Sequence, residues 1–165
     1  MKEKLNNYSI DESIDKKHLA PGTQIHFEAD LIVQLEKEHV RILKSLQKIY
    51  VAFELKNSKY TIKKLKKFKI KFTDYLILEI PKLYIYLEHS FSKNSKKQNQ
   101  VKEIRRDIRK ISKEVLDFVD KYRVKLENKK KTKKLRRDFV NIYLTLKKRF
   151  KREEKKLFPL YKDIF

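Results

Sequence analysis

The sequence predicts an all-α protein, an up-down-up-down four-helix bundle preceded by an N-terminal arm, and three observations predict it. The 165 residues hold one Gly and three Pro, too few turn formers for a fold of many hairpins. Four long segments repeat apolar residues at alternating spacings of three and four, the period of a helix with one buried face. The connections between them are short and polar, which favours antiparallel neighbours.

Residues 1–28 are polar and of mixed charge, and contain the only glycine, in Ala20-Pro21-Gly22-Thr23. They read as an arm that ends in a turn and a short extended piece, Gln24-Ile-His-Phe27; residues 29–165 read as the bundle. The first helix is predicted from Ala29 to about Leu55, with Leu35, His39, Ile42, Leu46, Ile49 and Phe53 on its inner seam. The second runs from about Lys59 to Ser90 through Leu65, Phe68, Phe72, Tyr75, Glu79, Leu83 and Tyr86, with Pro81 expected to kink it. A polar loop over residues 92–99 leads to a third helix from about Val101 to Leu126, seamed by Ile104, Ile108, Ile111, Val115, Phe118 and Tyr122. The fourth is predicted from about Leu135 to Tyr161 through Leu135, Phe139, Ile142, Leu146, Arg149, Glu153, Leu157 and Leu160.

Three of these seams carry polar residues where apolar ones are the rule. His39 lies early in the first helix, Tyr75 and Glu79 late in the second, and Arg149 and Glu153 late in the fourth. Antiparallel packing brings all five to one end of the bundle. A charge is rarely carried into a core without a partner, so Arg149, Glu79 and Glu153 are expected to pair there. A lone inward histidine is ordinarily a core residue bonded to a carbonyl or carboxylate; metal ligation is the sharper alternative for His39.

The stretch Thr23-Gln-Ile-His-Phe-Glu-Ala-Asp-Leu31-Ile32 followed by Leu35-Glu-Lys-Glu-His39 resembles the opening of bacterial hemerythrin-like (HHE cation-binding) proteins. Phe72-x-x-Tyr75-Leu-x-x-Glu79 is similar to their second-helix His-x-x-x-Glu motif, and Arg149-x-x-x-Glu153-Glu154-x-x-Leu157-Phe158-Pro159 to the fourth-helix one. The likeness covers about residues 23–161. It implies a four-helix bundle around a non-haem di-iron centre that binds oxygen or senses oxygen, nitric oxide or iron. In that scheme His39 stands at a ligand position and Glu79 and Glu153 at the carboxylate positions, while Tyr75 and Arg149 stand where the family has histidine. The third helix has no histidine, and His18, His26 and His89 match no ligand position. One imidazole is too few for a di-iron centre. The sequence therefore predicts a degenerate metal site and no cofactor, with Tyr75 and Arg149 in a cluster that replaces the metal. The alternative is residual iron binding at His39, Glu79 and Glu153.

The formal charge is +22, and all of the excess lies beyond residue 55, where the balance is +23. Such a field attracts anionic partners, an acidic protein or a nucleic-acid backbone, unless it only reflects lysine on solvated faces. Lys130, Lys131, Lys133, Lys134, Arg136 and Arg137 form the densest run and are the candidate anion-binding or partner-binding residues. Aromatic residues lie mostly on the seams, which disfavours base stacking. A fainter likeness, over Phe72-Thr-Asp-Tyr-Leu76 and Arg149-Phe-x-x-Glu-Glu154, is to bacterial anti-sigma regulators, helical bundles that bind a protein of the transcription apparatus.

There is no cysteine, no Gly-rich phosphate loop and no Ser/His/Asp arrangement. No apolar run is long enough to span a membrane, and residues 1–7 lack the apolar core of a signal peptide. The expectation is a cytoplasmic, bacterial, non-catalytic binding or regulatory protein.

Overall fold

The computed structural model describes residues 18–165. Among them the chain forms α1 (Leu31–Glu54), α2 (Ser58–Glu79), a π-helical segment (Ile80–Ile85), α3 (Tyr86–Ser90), α4 (Ser95–Glu127), α5 (Leu135–Lys156) and α6 (Phe158–Lys162). α2, the π segment and α3 run on without a break, so the architecture is the four-helix bundle that the apolar spacing predicts. α1 and α4 each pack against α2 and α5. The pairs α1/α4 and α2/α5 therefore face each other across the bundle axis.

The inner seams are buried much as the three-four spacing requires. Leu35, Ile42, Leu46 and Ile49 of α1 and Leu65, Phe68 and Phe72 of α2 are buried, as are Ile104, Val115 and Phe118 of α4 and Leu135 and Leu146 of α5. Phe53, Ile111, Ile142 and Leu160 pack only at the edge of this core. Phe150, Phe158 and Tyr161, off the predicted seam, are fully part of it.

Two predicted boundaries are corrected, and the course of the second helix at Pro81 is resolved. The third long helix begins at Ser95, six residues before Val101, because the Asn94 side chain accepts the amide of Lys97 and satisfies a free donor of the first turn. The fourth stops at Lys156 instead of Tyr161, and a short helix restarts at Phe158 with Pro159 in its first turn. The second keeps its course through Pro81 by widening. Proline lacks the N–H that would close an α-turn, and the i→i+5 pattern over Ile80–Ile85 accommodates it. The extra residue shifts the helical phase, so Leu83, Tyr84, Tyr86 and Leu87 are all buried.

Residues 18–28, predicted as the tail of the arm, close one end of the bundle; the rest of the predicted arm, residues 1–17, lies outside the described residues. Gly22 takes φ +72 in a turn held by Thr23 Oγ1 donating to the Ala20 carbonyl at 2.8 Å, and Leu19 bridges to His26. Phe27 stacks on Tyr161 with centroids 4.7 Å apart, and Tyr161 Oη accepts the Glu28 amide at 2.8 Å.

At the other end, α1 and α4 terminate in lysines with left-handed backbone, Lys56 at φ 55 and Lys129 at φ 51. Glycine is the residue that takes this conformation without a Cβ penalty, and a chain with a single glycine uses lysine instead. The ammonium groups at helix C-termini offset part of that cost. Lys56→Gly is expected to raise stability by roughly 0.5–1 kcal/mol, seen as a higher urea midpoint at unchanged slope. A lower midpoint would show that the lysine side chain contributes more than its backbone costs.

Candidate functional site

The polar seam residues do meet, and they meet around one guanidinium. Arg149 is buried, with Nε donating to Glu153 Oε1 at 2.9 Å and Nη2 donating to Glu79 Oε2. Glu153 is one turn along α5, whereas Glu79 is on α2, diagonally opposite. The guanidinium thus spans the bundle axis and ties two diagonally opposed helices, which also meet where Tyr75 packs edge-on against Phe150. Its Cζ also lies 5.5 Å from the centre of the Tyr75 ring.

Two tyrosines and the histidine complete the cluster. Tyr84 Oη donates to Glu153 Oε1 at 2.5 Å, and Tyr75 Oη is hydrogen-bonded to Glu79 Oε1. His39 Nε2 lies 3.0 Å from Tyr75 Oη and 3.3 Å from Glu153 Oε2, and its Nδ1 is 2.7 Å from Glu154 Oε1. The imidazole lies flat on Phe150, with centroids 3.9 Å apart, and Phe158 packs nearby. Glu154 is the cluster's outlet to solvent, with its side chain 41% exposed. α4 contributes no charged group to the cluster.

Electrostatics separates the two buried carboxyls. Burial and the neighbouring Glu153 charge push Glu79 well above the ordinary range against the pull of Arg149. Burial also works against the Glu153 anion, but Arg149, His39 and Tyr84 together hold it below its ordinary value. Burial opposes the charge of Arg149 too, and Glu153 and Glu79 more than offset it. Tyr75 and Tyr84 are raised, first by burial and then by the Glu153 charge, so both phenols keep their protons.

The two carboxyls thus differ in how well their surroundings support the anion. A carboxylate only accepts, so His39 Nδ1–H donates to Glu154. Tyr75 Oη donates to Glu79 Oε1, and His39 Nε2 stands between Tyr75 Oη and Glu153 Oε2. Arg149 is shared between the two carboxyls, and Glu153 is the better-supported anion of the two. Glu153 Oε2 and Arg149 Nη1 are the atoms of these groups without a hydrogen bond.

One donor atom from each of His39, Glu79 and Glu153 lies within 4.8 Å of the others, the spacing of a metal-ligand set. The set does not fit the di-iron centre that the sequence resemblance implies. It supplies one imidazole, and Arg149 N–H groups occupy the inward oxygens of both carboxylates. A divalent cation there would stand beside the fixed positive charge of Arg149.

The predicted surface residues divide in two. Arg136 donates to both oxygens of Glu54 at 2.8 and 2.9 Å, and Arg137 donates to Asp138 at 3.0 Å, so both are engaged in ion pairs. Lys130, Lys131, Lys133 and Lys134 are exposed and have no ion pair among the described residues. They lie in the α4–α5 connection, at the end away from the buried cluster. Sequence reasoning missed Tyr84 and gave Glu154 no role. The phase shift that turns Tyr84 inward comes from the π segment, and Pro81 was its only signal.

No protein-family model, no curated protein and no solved structure matches this chain.

Two substitution series test the difference between Glu79 and Glu153. Arg149→Ala is expected to cost roughly 3–5 kcal/mol, because it strands the Glu153 charge in the core. The carboxyls should differ in sign with pH. Glu79 sits above its ordinary 4.5, so its contribution is complete below that value and is lost as pH rises through the raised folded value. Glu153 sits below 4.5, so its contribution is present above that value and is lost as pH falls. Glu79→Gln, an isostere of the protonated acid, should therefore change stability by less than about 1 kcal/mol near neutral pH and remove the alkaline loss. Glu153→Gln should cost roughly 3–5 kcal/mol there. Urea titrations across this pH span decide it, and equal losses for the two variants would sink the distinction.

Proposed function

We propose that this chain is a hemerythrin-like bundle in which a buried arginine has taken the place of the metal. On this reading it works without catalysis, by binding an anionic partner through its basic surface. The observation that carries the reading is Arg149 between Glu79 and Glu153: the guanidinium supplies the positive charge that would otherwise have to come from a cation. Two facing carboxylates with nothing between them would repel, and here the Nε and Nη2 donors of one guanidinium join them. Tyr75 serves the same end, giving a hydroxyl where the family pattern has an imidazole.

Function then passes to the exterior. The charge of +22 and the four unpaired lysines of the α4–α5 connection favour a partner of opposite sign. No described helix is long and apolar enough to cross a membrane, so attachment of these residues to a membrane by a spanning helix is no part of the reading.

Metal analysis of the purified protein after aerobic loading with Fe(II) is the test. The expected result is less than about 0.1 metal per chain, with no change in thermal midpoint on adding iron or chelator. About one metal per chain, lost in His39→Ala, would replace this reading with a mononuclear site at His39, Glu79 and Glu153. About two irons with an oxo-bridge absorption band would restore oxygen chemistry.

A further inference from the structure

α1 and α5 each carry a second three-four repeat, on the side turned away from the core. On α1 it runs Val33, Lys37, Val40, Lys44, Gln47, Val51, and on α5 Val140, Leu144, Lys147, Lys151. The aliphatic members are between 45 and 56% exposed. Three contacts set the level of the two helices: Gln47 Nε2 donates to Tyr143 Oη at 3.1 Å, Arg136 meets Glu54, and His39 meets Glu154. In that register Val51 is level with Val140, and Val40 is level with Lys151. The two repeats run along neighbouring helices joined where Gln47 meets Tyr143, with aliphatics throughout the α1 row and at the Val51 end of the α5 row, and lysines among them.

An alternating three-four row of aliphatics is the pattern with which one helix seats another. Isolated exposed valines need no explanation, but five aligned on two adjacent helices mark an interaction surface. The row on α1 is about 27 Å long at 1.5 Å per residue, room for a partner helix of about five turns. The lysines within both rows are not balanced by any acidic member of either row.

We propose that the α1–α5 face seats an acidic amphipathic helix of another protein; this rests on the reading above that the chain acts through its basic surface. A phosphate backbone gains nothing from a row of valines, and the lysine-only α4–α5 connection would serve it better. A second copy of this chain would set Lys37, Lys44, Lys147 and Lys151 against like charges. Acidic side chains flanking an apolar stripe satisfy both halves of the surface.

The experiment measures binding of the full chain to labelled probes by fluorescence anisotropy. The probes are a helical peptide of about three heptads with leucine at a and d and glutamate flanking, its scrambled version, and a duplex oligonucleotide. The amphipathic peptide is expected to bind at least about tenfold more tightly than the scrambled one. Val40→Gln with Leu144→Gln, both exposed and so compatible with folding, should weaken it about tenfold or more. Lys130→Gln with Lys131→Gln and Lys133→Gln should change it by less than about threefold. Equal binding of the scrambled peptide, tighter binding of the duplex, or self-association abolished by Leu144→Gln would each overturn the proposal. Metal content of the same preparation tests the parent reading separately, since a metal-loaded chain that still binds the peptide through Val40 and Leu144 would lose the first claim and keep this one.

Discussion

The bundle turns on the salt link that Arg149 makes across its axis. Helices α2 and α5 are diagonal to each other, and the guanidinium between Glu79 and Glu153 is the polar tie that joins them through the centre. A buried ion of this kind brings little net stability, because its desolvation consumes most of the attraction. What it does impose is register. Every group around it must stand at the level where its remaining donors and acceptors are met, so α1, α2 and α5 cannot slide without stranding a charge.

That requirement explains the local irregularities at this end of the molecule. The π segment over Ile80–Ile85 turns Tyr84 inward, where its hydroxyl supports the Glu153 anion. The break at Leu157 lets Phe158 fold back beside His39, and Phe150 covers the other side of the ring. Residues 18–28 then close the end through Phe27 and Tyr161. The result is a buried enclosure for Arg149, Glu79 and Glu153, and a hydrogen-bonded chain through Tyr75 and His39 that reaches solvent at Glu154.

Outside the core, charge is arranged in two ways. Near the helix ends the acidic groups are locally neutralised: Glu54 by Arg136, Asp138 by Arg137 and Lys121, and Glu127 by Lys66 and Arg123. These pairs staple neighbouring helices, and being exposed they contribute modestly. The lysines without an ion pair among the described residues include those of the α4–α5 connection and those along the outer rows of α1 and α5. On the connection they stand alone; on the rows they lie among aliphatics. The difference matters, because only the second pattern offers both the apolar area and the charge that a folded partner can use.

The sequence by itself determined the helices and the set of residues that would be forced together. Periodicity does this because a helix can turn only one face inward, so Arg149 and Glu153, on one line with Leu146, had to enter the core with it. The same logic placed His39, Tyr75 and Glu79 at one level. It could not place Tyr84, because a helix that widens at Pro81 changes phase in a way that the 3.6-residue period does not anticipate. Nor could it give Ser95 as the start of the third long helix, since a run of polar residues is helical only when a cap such as Asn94 and a neighbouring helix make it so. Which carboxyl is the better-supported anion was beyond the sequence altogether. Glu79 and Glu153 are the same residue type on equivalent seams. Only the tertiary structure decides between them, by surrounding Glu153 with Arg149, His39 and Tyr84 and leaving Glu79 with fewer donors for its anion.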